Sequence, residues 1–229
     1  MKRIVQPELL DTLAPDDPRA VCSRRDLQRV NGLMRHHVIM ADTLQKNLNV
    51  SAPRKIVELG AGDGDFLLGV ARKLSPSWPG THATLLDLQK NVAAETITAF
   101  AKIGWQAKAV VADVFNWPQT SDTDEVVVAN LFLHHFENAL LAELLRLISR
   151  RAEVFIALEP RRARWPLFCS RLLGAVGCND VTRHDAVVSV RAGFSGYELS
   201  SLWTDNDNWR LTEQSAGAFS HLFIARKIS

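Results

Sequence analysis

From Lys55 onwards the chain alternates short apolar runs with helical stretches, and this alternation limits its fold more than any other feature. The runs KIVEL, HATLLD, QAKAVVA, EVVVAN and EVFIAL predict strands, whereas DFLLGVARKL, NVAAETITAFAKI and ENALLAELLRLIS predict helices. Apolar strands joined by helices are typical of a parallel sheet that is covered on both faces. We therefore expect an α/β fold with a doubly wound, mostly parallel sheet.

The C-terminal stretch WRLTEQSAGAFSHLFIARKI differs from the rest, because it predicts two strands joined by a tight turn. Two such strands form an antiparallel hairpin, which we expect to close one edge of the sheet. The hairpin brings the expected number of strands to seven.

Residues 159–204 are too long for a plain connection and predict a lid-like helical insertion before the hairpin. Helices are expected near 163–174, 183–192 and 197–203. Thr182 with Asp185 has the spacing of a capping box, as has Ser195 with Glu198. Insertions at the carboxyl edge of a doubly wound sheet usually build a substrate pocket.

An amphipathic N-terminal helix is predicted from Asp26 to Leu48, because apolar residues recur there every three or four positions. Ser23 and Asp26 have the spacing of a capping box at its start. We expect residues 1–52 to form an N-terminal helical cap and residues 53–229 to form the core.

Charge and cysteine content limit the classes of partner and compartment. Lys and Arg number 27 against 25 Asp and Glu, and the basic residues are scattered, which argues against a nucleic-acid partner. The three cysteines form no CxxC pair and favour a reducing, cytoplasmic setting. The sequence shows no signal core and no apolar run long enough for a membrane span.

The stretch ELGAGDG, residues 58–64, follows an apolar strand and precedes a helix, which is the general arrangement for a nucleotide-type ligand. A dinucleotide fingerprint places its third glycine five positions after the first. Here the glycines are Gly60, Gly62 and Gly64, so the spacing is GxGxG. This spacing weakens the dinucleotide interpretation.

Carboxylates surround this loop and weaken the dinucleotide interpretation further. Glu58, Asp63 and Asp65 lie in or beside the turn, and Asp87 and Asp113 follow the next two strands. A diphosphate would meet repulsion there. S-adenosylmethionine has no phosphate, carries a sulfonium and an ammonium, and presents two ribose hydroxyls that suit a carboxylate. The loop therefore favours a cationic nucleoside.

With these motifs the chain resembles the class I, seven-stranded S-adenosylmethionine-dependent methyltransferases over roughly residues 55–229. VELGAGDG, LLDLQ, ADVFNWP, ANLFLHHF and the final hairpin carry the resemblance. It implies S-adenosylmethionine as the cofactor, with Asp87 on the ribose hydroxyls and Asp113 beside the adenine amino group. The cofactor-binding residues that it implies are Glu58, Gly60, Ala61, Gly62, Asp87, Leu88, Asp113, Val114, Asn130 and Leu131.

The adjacent pair His134 and His135 in LFLHHF supplies the candidate catalytic groups, because it directly follows the fourth strand. Many members of the fold carry Glu-His there. That alignment implies that His134 faces the pocket as a base, and that His135 makes a structural hydrogen bond. In the alternative interpretation, His134 only shapes the pocket. No His, Cys or Asp spacing typical of a metal site is present, so we expect no metal.

Specificity is expected from the first helix and the insertion, with His37, Trp165 and His184 as substrate-binding candidates. Further expected lining residues are Met34, Met40, Phe168, Leu172, Phe194, Tyr197 and Trp203. Such a lining suits a flat or lipophilic small molecule, which the resemblance narrows to a phenolic, quinone-like or polyketide metabolite methylated on oxygen or carbon.

Several alternatives stay open at this point. The arginines at 161, 162 and 164 either meet an acidic group of the substrate or face solvent. A nicotinamide-dependent oxidoreductase and a catalytically silent binding homologue are the competing functions. The sequence leaves the oligomeric state open, a homodimer included.

Overall fold

A computed structural model describes residues 1–14, 16–48, 53–117, 124–204 and 206–228. Its strands are β1 (Lys55–Leu59), β2 (His82–Asp87), β3 (Gln106–Val111), β4 (Asp124–Asn130), β5 (Ala152–Pro160), β6 (Trp209–Ala216) and β7 (Ser220–Lys227). Its α-helices are α1 (Leu9–Thr12), α2 (Pro18–Met34), α3 (His36–Asn47), α4 (Asp65–Leu74), α5 (Ala94–Lys102), α6 (Asn138–Ser149), α7 (Arg164–Arg171), α8 (Asp180–Ala192) and α9 (Glu198–Leu202).

All seven strands form one sheet in the order β3-β2-β1-β4-β5-β7-β6. Strands β1 to β5 are parallel, and β7 pairs antiparallel with both β5 and β6. The predicted α/β class and the C-terminal hairpin are therefore confirmed. The order reverses between β1 and β4, and ligands of open α/β sheets bind at such a switch point, outside the carboxyl ends of the strands.

Successive residues of the central strands point to opposite faces of the sheet and pack in two apolar layers. In β1, Ile56 packs in the layer that includes α3 and α4, whereas Val57 packs in the layer that includes α6. Both side chains are buried, as expected for a strand covered on both faces. Burial of each such side chain stabilises the folded state by roughly 1.5–3 kcal/mol. This rigid core fixes the strand ends on which the site is built.

The predicted single N-terminal helix is wrong, because the structure has two helices that break at Arg35. This residue has a φ of 55°, in the left-handed region, which interrupts the helix. Helix α2 begins earlier, at Pro18, so Ser23 and Asp26 lie inside it rather than at its start. Asp26 Oδ2 instead accepts a hydrogen bond from the Asn179 backbone N–H, 2.9 Å away, and so joins α2 to the insertion.

The predicted capping box at Thr182 and Asp185 is also wrong. Helix α8 begins at Asp180, and the side chain of Asn179 caps it by accepting from the Thr182 backbone N–H. Asp185 accepts from the backbone N–H groups of Leu9 and Leu10 at 2.8 and 2.9 Å. The carboxylate therefore holds the N-terminal segment against the insertion.

The division into a cap and a core stays a prediction, and residues 49–52 at its boundary lie outside the described residues. None of the described helices combines the length and the apolar character needed to cross a bilayer.

Candidate functional site

An open chamber of about 1160 Å³ lies over the carboxyl ends of β1, β2 and β4. Residues of α2, α7 and α8 also line it, so the cap and the insertion both contribute to the same cavity. Its lining includes every predicted cofactor residue: Glu58, Gly60, Ala61, Gly62, Asp87, Leu88, Asp113, Val114, Asn130 and Leu131. The topology thus brings together residues from four separate strand ends.

The glycine loop needs its glycines for conformation and for space. Gly60 and Gly62 have φ angles of 67° and 55°, which side-chain-bearing residues rarely adopt. A Cβ at Gly60 would collide with the Phe132 ring, whereas a Cβ at Gly62 would meet none of the described atoms within 4 Å. Gly62 therefore leaves a bare stretch of backbone against which a ligand can pack.

Asp87 connects this loop to the end of β2. Its Oδ2 accepts from the Gly62 backbone N–H at 2.8 Å, and its Oδ1 accepts from the Gln89 backbone N–H at 2.8 Å. Asp113 likewise accepts from the Phe115 backbone N–H at 2.9 Å. A carboxylate has about four lone-pair sites, so both groups keep acceptor capacity for a ligand's hydroxyl or amino groups.

Glu58 is a buried acid with unused hydrogen-bonding capacity. Its side chain lines the chamber, and its Oε2 has no hydrogen-bond partner among the described residues. Burial raises the pKa of Glu58 well above its usual range, and the nearby charges of Asp63 and Asp87 add to this rise. A cationic or hydroxyl-bearing ligand would satisfy this oxygen, which fits the chemistry of S-adenosylmethionine.

The tip of β4 carries backbone strain. Leu131 has a φ of 53° although it is not a glycine, and its N–H donates to the Leu158 carbonyl at 2.8 Å. Strained residues of this kind cluster at functional sites. The preceding Asn130 contacts the imidazole of His36, which is buried at the start of α3 and also lines the chamber. The helical pattern pointed to His37, and no sequence signal indicated His36.

The two adjacent histidines differ in burial in the opposite sense to the expectation. His134 is buried with a side chain only 3% exposed, whereas the His135 side chain is 28% exposed. Both line the chamber. His135 is therefore the more exposed of the two in the chamber, and His134 is the one held by buried hydrogen bonds.

His134 lies between two carboxylates. Its Nδ1 is 2.8 Å from Glu159 Oε2, and its Nε2 is 3.3 Å from Glu8 Oε1. Burial opposes protonation, but the hydrogen bonds to Glu159 and Glu8 outweigh it and raise the pKa of His134 to about 9. The same contact with His134 overcomes the effect of burial and lowers the pKa of Glu8 to about 2. A protonated His134 is not available as a base near neutral pH.

His37 lines the chamber as predicted, but Trp165 and His184 do not. The Trp165 side chain is 59% exposed on the outer face of α7. His184 is exposed, and its Nδ1 lies 2.9 Å from Asp185 Oδ1. The residues of the insertion that line the chamber are Pro166, Cys169, Ser170, Leu173, Ala186, Ser189 and Val190.

The other predicted lining residues divide into three groups. Met34 lines the chamber. Met40, Phe194 and Trp203 are buried in the core, and Phe168, Leu172 and Tyr197 are exposed. The members of the arginine cluster differ in burial: Arg162 is buried and pairs with Glu198, whereas Arg164 is exposed.

The N-terminal segment contributes side chains for which no sequence pattern predicted a role. Gln28 donates from Nε2 to Asp63 Oδ2 at 2.8 Å, so α2 touches the glycine loop. Arg3 donates to the backbone carbonyls of Phe136 and Ala192 at 2.8 and 2.7 Å. These contacts join the N-terminal part of the chain to the glycine loop, to the segment after β4 and to the end of α8.

Comparison with protein families gives one match, in which residues 56–153 correspond to a family described as a methyltransferase domain. This range contains the glycine loop, the strand-end acids and the histidine pair. Comparison with curated proteins gives no match.

Several solved structures share the fold at low sequence identity. A plantazolicin methyltransferase, BpumL, in complex with SAH is 15% identical with a TM-score of 0.69, covering 93% of this chain and 92% of that one. The mitomycin 7-O-methyltransferase MmcR is 20% identical with a TM-score of 0.63, covering 96% and 60%. Magnesium protoporphyrin IX methyltransferase from Synechocystis PCC 6803, with bound SAH, is 12% identical with a TM-score of 0.56, covering 86% and 84%.

Proposed function

We propose that this chain, whose residues 56–153 match a methyltransferase domain, is a class I S-adenosylmethionine-dependent methyltransferase. Its proposed acceptor is a small aromatic or lipophilic metabolite, methylated on oxygen or carbon. A phenolic, quinone-like or polyketide compound fits this description. We also expect that nucleic acid is not the substrate, because the basic and acidic residues nearly balance.

One observation carries this proposal: the acidic glycine loop and a largely apolar wall belong to the same chamber of about 1160 Å³. Sites for small molecules combine an apolar lining with a few placed polar groups. The apolar wall comes from the cap, α4 and the insertion, through Leu27, Val30, Leu33, Met34, Phe66, Leu173 and Val190. Such a wall suits a flat acceptor that is brought close to the strand ends.

The cofactor supplies a methyl group that is already activated as part of a sulfonium. The chain's own residues then have to align the two partners and keep water away. We assign Asp87 to the ribose hydroxyls, Asp113 with Val114 to the adenine, and Glu58 to the ammonium, directly or through water. Glu58 suits that role because its Oε2 has no other partner among the described residues.

His135 is our candidate for contact with the acceptor, because its imidazole is partly exposed on the chamber and its Nδ1 lies 3.5 Å from Asp11 Oδ2. A neutral imidazole in that position can take the proton of a phenol. We assign His134 a positioning role beside His135, because Glu159 and Glu8 fix its ring.

The test is mass spectrometry of metabolite extracts incubated with the full chain and S-adenosylmethionine. We expect a small compound that gains one methyl only when both are present, and a much smaller gain with the Asp87→Ala variant at a limiting cofactor concentration. Cofactor binding without any methylated product would favour the silent binding homologue. Transfer of labelled methyl to RNA or DNA, but not to small compounds, would contradict the proposed substrate class.

A further inference from the structure

Three side chains with metal-ligating atoms meet at one corner of the chamber. They are Glu8, His134 and His135, and one ligand atom of each lies within 4.8 Å of those of the others. The His134 Nε2 to Glu8 Oε1 distance is 3.3 Å. Ligands about 2.0–2.2 Å from one ion lie roughly 3–3.5 Å apart, so this pair is already at the spacing of neighbouring ligands.

The His134 ring is oriented as ligating imidazoles usually are. Such rings donate their second N–H to a carboxylate, which fixes the tautomer and the direction of the ring. Here Glu159 Oε2 lies 2.8 Å from Nδ1, and Glu159 Oε1 accepts from the Leu133 backbone N–H at 2.8 Å. This support leaves Nε2 to point at Glu8.

The other two side chains also have supporting partners. The Ser189 hydroxyl of α8 donates to Glu8 Oε1, which fixes that carboxylate from the insertion side. Asp11 Oδ2 lies 3.5 Å from His135 Nδ1 and places a carboxylate beside the second imidazole. Ligands and supporting groups thus come from the N-terminal segment, the end of β4 and α8 together.

The kind of ion follows from the donor set. Two imidazoles and one carboxylate are borderline ligands that suit Zn²⁺ and its first-row neighbours, whereas Mg²⁺ and Ca²⁺ prefer oxygen ligands alone. All three residues line the chamber, so the remaining coordination positions open towards the proposed substrate. Three protein ligands with an open position are typical of sites that act on a bound molecule.

We propose that Glu8, His134 and His135 bind one divalent transition-metal ion, Zn²⁺ being the best fit, with its open positions facing the chamber. The site goes beyond methyl transfer and does not rest on the proposed acceptor. With the ion bound, His135 is a ligand, so its proposed role as a base applies only to the metal-free chain. The site replaces the expectation of no metal, which depended on spacing along the sequence: Glu8 is 126 residues from His134. A protonated His134 that donates from Nδ1 to Glu159 and from Nε2 to Glu8 is the competing explanation of the same distances.

The experiment is a titration of the chelator-treated full chain with Co²⁺, followed by its visible absorption, and then with excess Zn²⁺. We expect one equivalent of Co²⁺ to bind with d–d bands, and Zn²⁺ to abolish them. Loss of a group that only supports a ligand costs roughly 10–100-fold in affinity. Glu8→Gln and His135→Gln remove a ligand, so each should weaken binding by more than this.

His82→Gln is the matched control, because it removes one exposed imidazole from the start of β2, away from the cluster. It should bind Co²⁺ like the parent chain. Absence of Co²⁺ bands, or bands that survive in both Glu8→Gln and His135→Gln, would overturn the proposal. Circular dichroism of every variant keeps loss of binding distinct from loss of fold.

Discussion

The imidazole of His36 lies 2.7 Å, through Nδ1, from Oδ1 of Asn130 and so ties the N-terminal helices to the tip of β4. Its Nε2 is 2.6 Å from the Ser220 hydroxyl at the start of β7. Both contacts are satisfied by a neutral ring that donates from Nδ1 and accepts at Nε2. Burial lowers the pKa of His36 to about 4, which agrees with this neutral form.

This pairing predicts a loss of stability on acidification. The unfolded chain takes up a proton at His36 near pH 6.5, whereas the folded chain does so only near pH 4. The free energy of unfolding should therefore fall as the pH drops through this window, by up to about 3 kcal/mol from this group. His36→Gln removes the titration, so urea unfolding across the window should give a shallower pH dependence. A profile parallel to that of the parent would contradict the assignment.

Asp87→Ala should weaken binding of S-adenosylmethionine by about 1–3 kcal/mol, the scale for hydrogen bonds to charged groups. The variant loses the proposed ribose acceptor and also the acceptor of the Gly62 N–H. Calorimetric titration measures the effect. Asp42→Ala, which removes an exposed carboxylate of α3, is the control and should bind the cofactor normally. Equal dissociation constants for the two variants would refute the role of Asp87.

Gly62→Ala should weaken cofactor binding although the added methyl has free space in the structure. Its Cβ would project into the region that the cofactor is proposed to occupy. Gly80→Ala is a close control, because Gly80 also has a positive φ, 75°, and open space around it, but does not line the chamber. Both variants should lose about 1–2 kcal/mol of stability from backbone strain. Only Gly62→Ala should lose affinity; equal affinities would argue against the loop as the binding surface.

His134→Ala should destabilise the fold strongly, because it leaves Glu159 buried without its charged partner. Removal of one member of a buried ion pair costs roughly 3–5 kcal/mol. His135→Ala should cost much less, since its side chain is partly exposed. Chemical denaturation compares the two variants. Similar losses of unfolding free energy in both variants would show that the His134–Glu159 pair does not stabilise the fold.

Trp165→Ala should leave the Michaelis constant for the acceptor unchanged, because Trp165 lies on the outer face of α7. Leu173→Ala should raise it, because Leu173 lines the chamber. Steady-state kinetics with the acceptor found by mass spectrometry provides the measurement. A larger effect at Trp165 than at Leu173 would mean that α7 presents its other face to the substrate.

The grouping of the proposed cofactor-binding residues along one edge of the sheet was predictable from the sequence, because it depends on local patterns and one topological rule. Gly60 and Gly62 follow β1 directly, and Asp87 and Asp113 lie at or just after the ends of β2 and β3. The carboxyl ends of parallel strands share one edge of a sheet, so recognising the strands already brings these residues together. The periodicity of α4 and α6 likewise gave their positions to within a residue or two.

The substrate side was decided by tertiary structure. Helix α7 carries apolar residues on both of its faces, so periodicity alone could not show which face lines the chamber. In the structure, Pro166 and Cys169 line it, whereas Trp165 and Phe168 stack on each other outside it. Glu8 contacts His134 although 126 positions of the sequence separate them. No local pattern encodes such a meeting, because it depends on how the N-terminal segment packs against β4 and α8. The sequence by itself thus determined the fold and the position of the proposed cofactor loop, whereas long-range packing alone brought Glu8 to His134 and set the chamber wall.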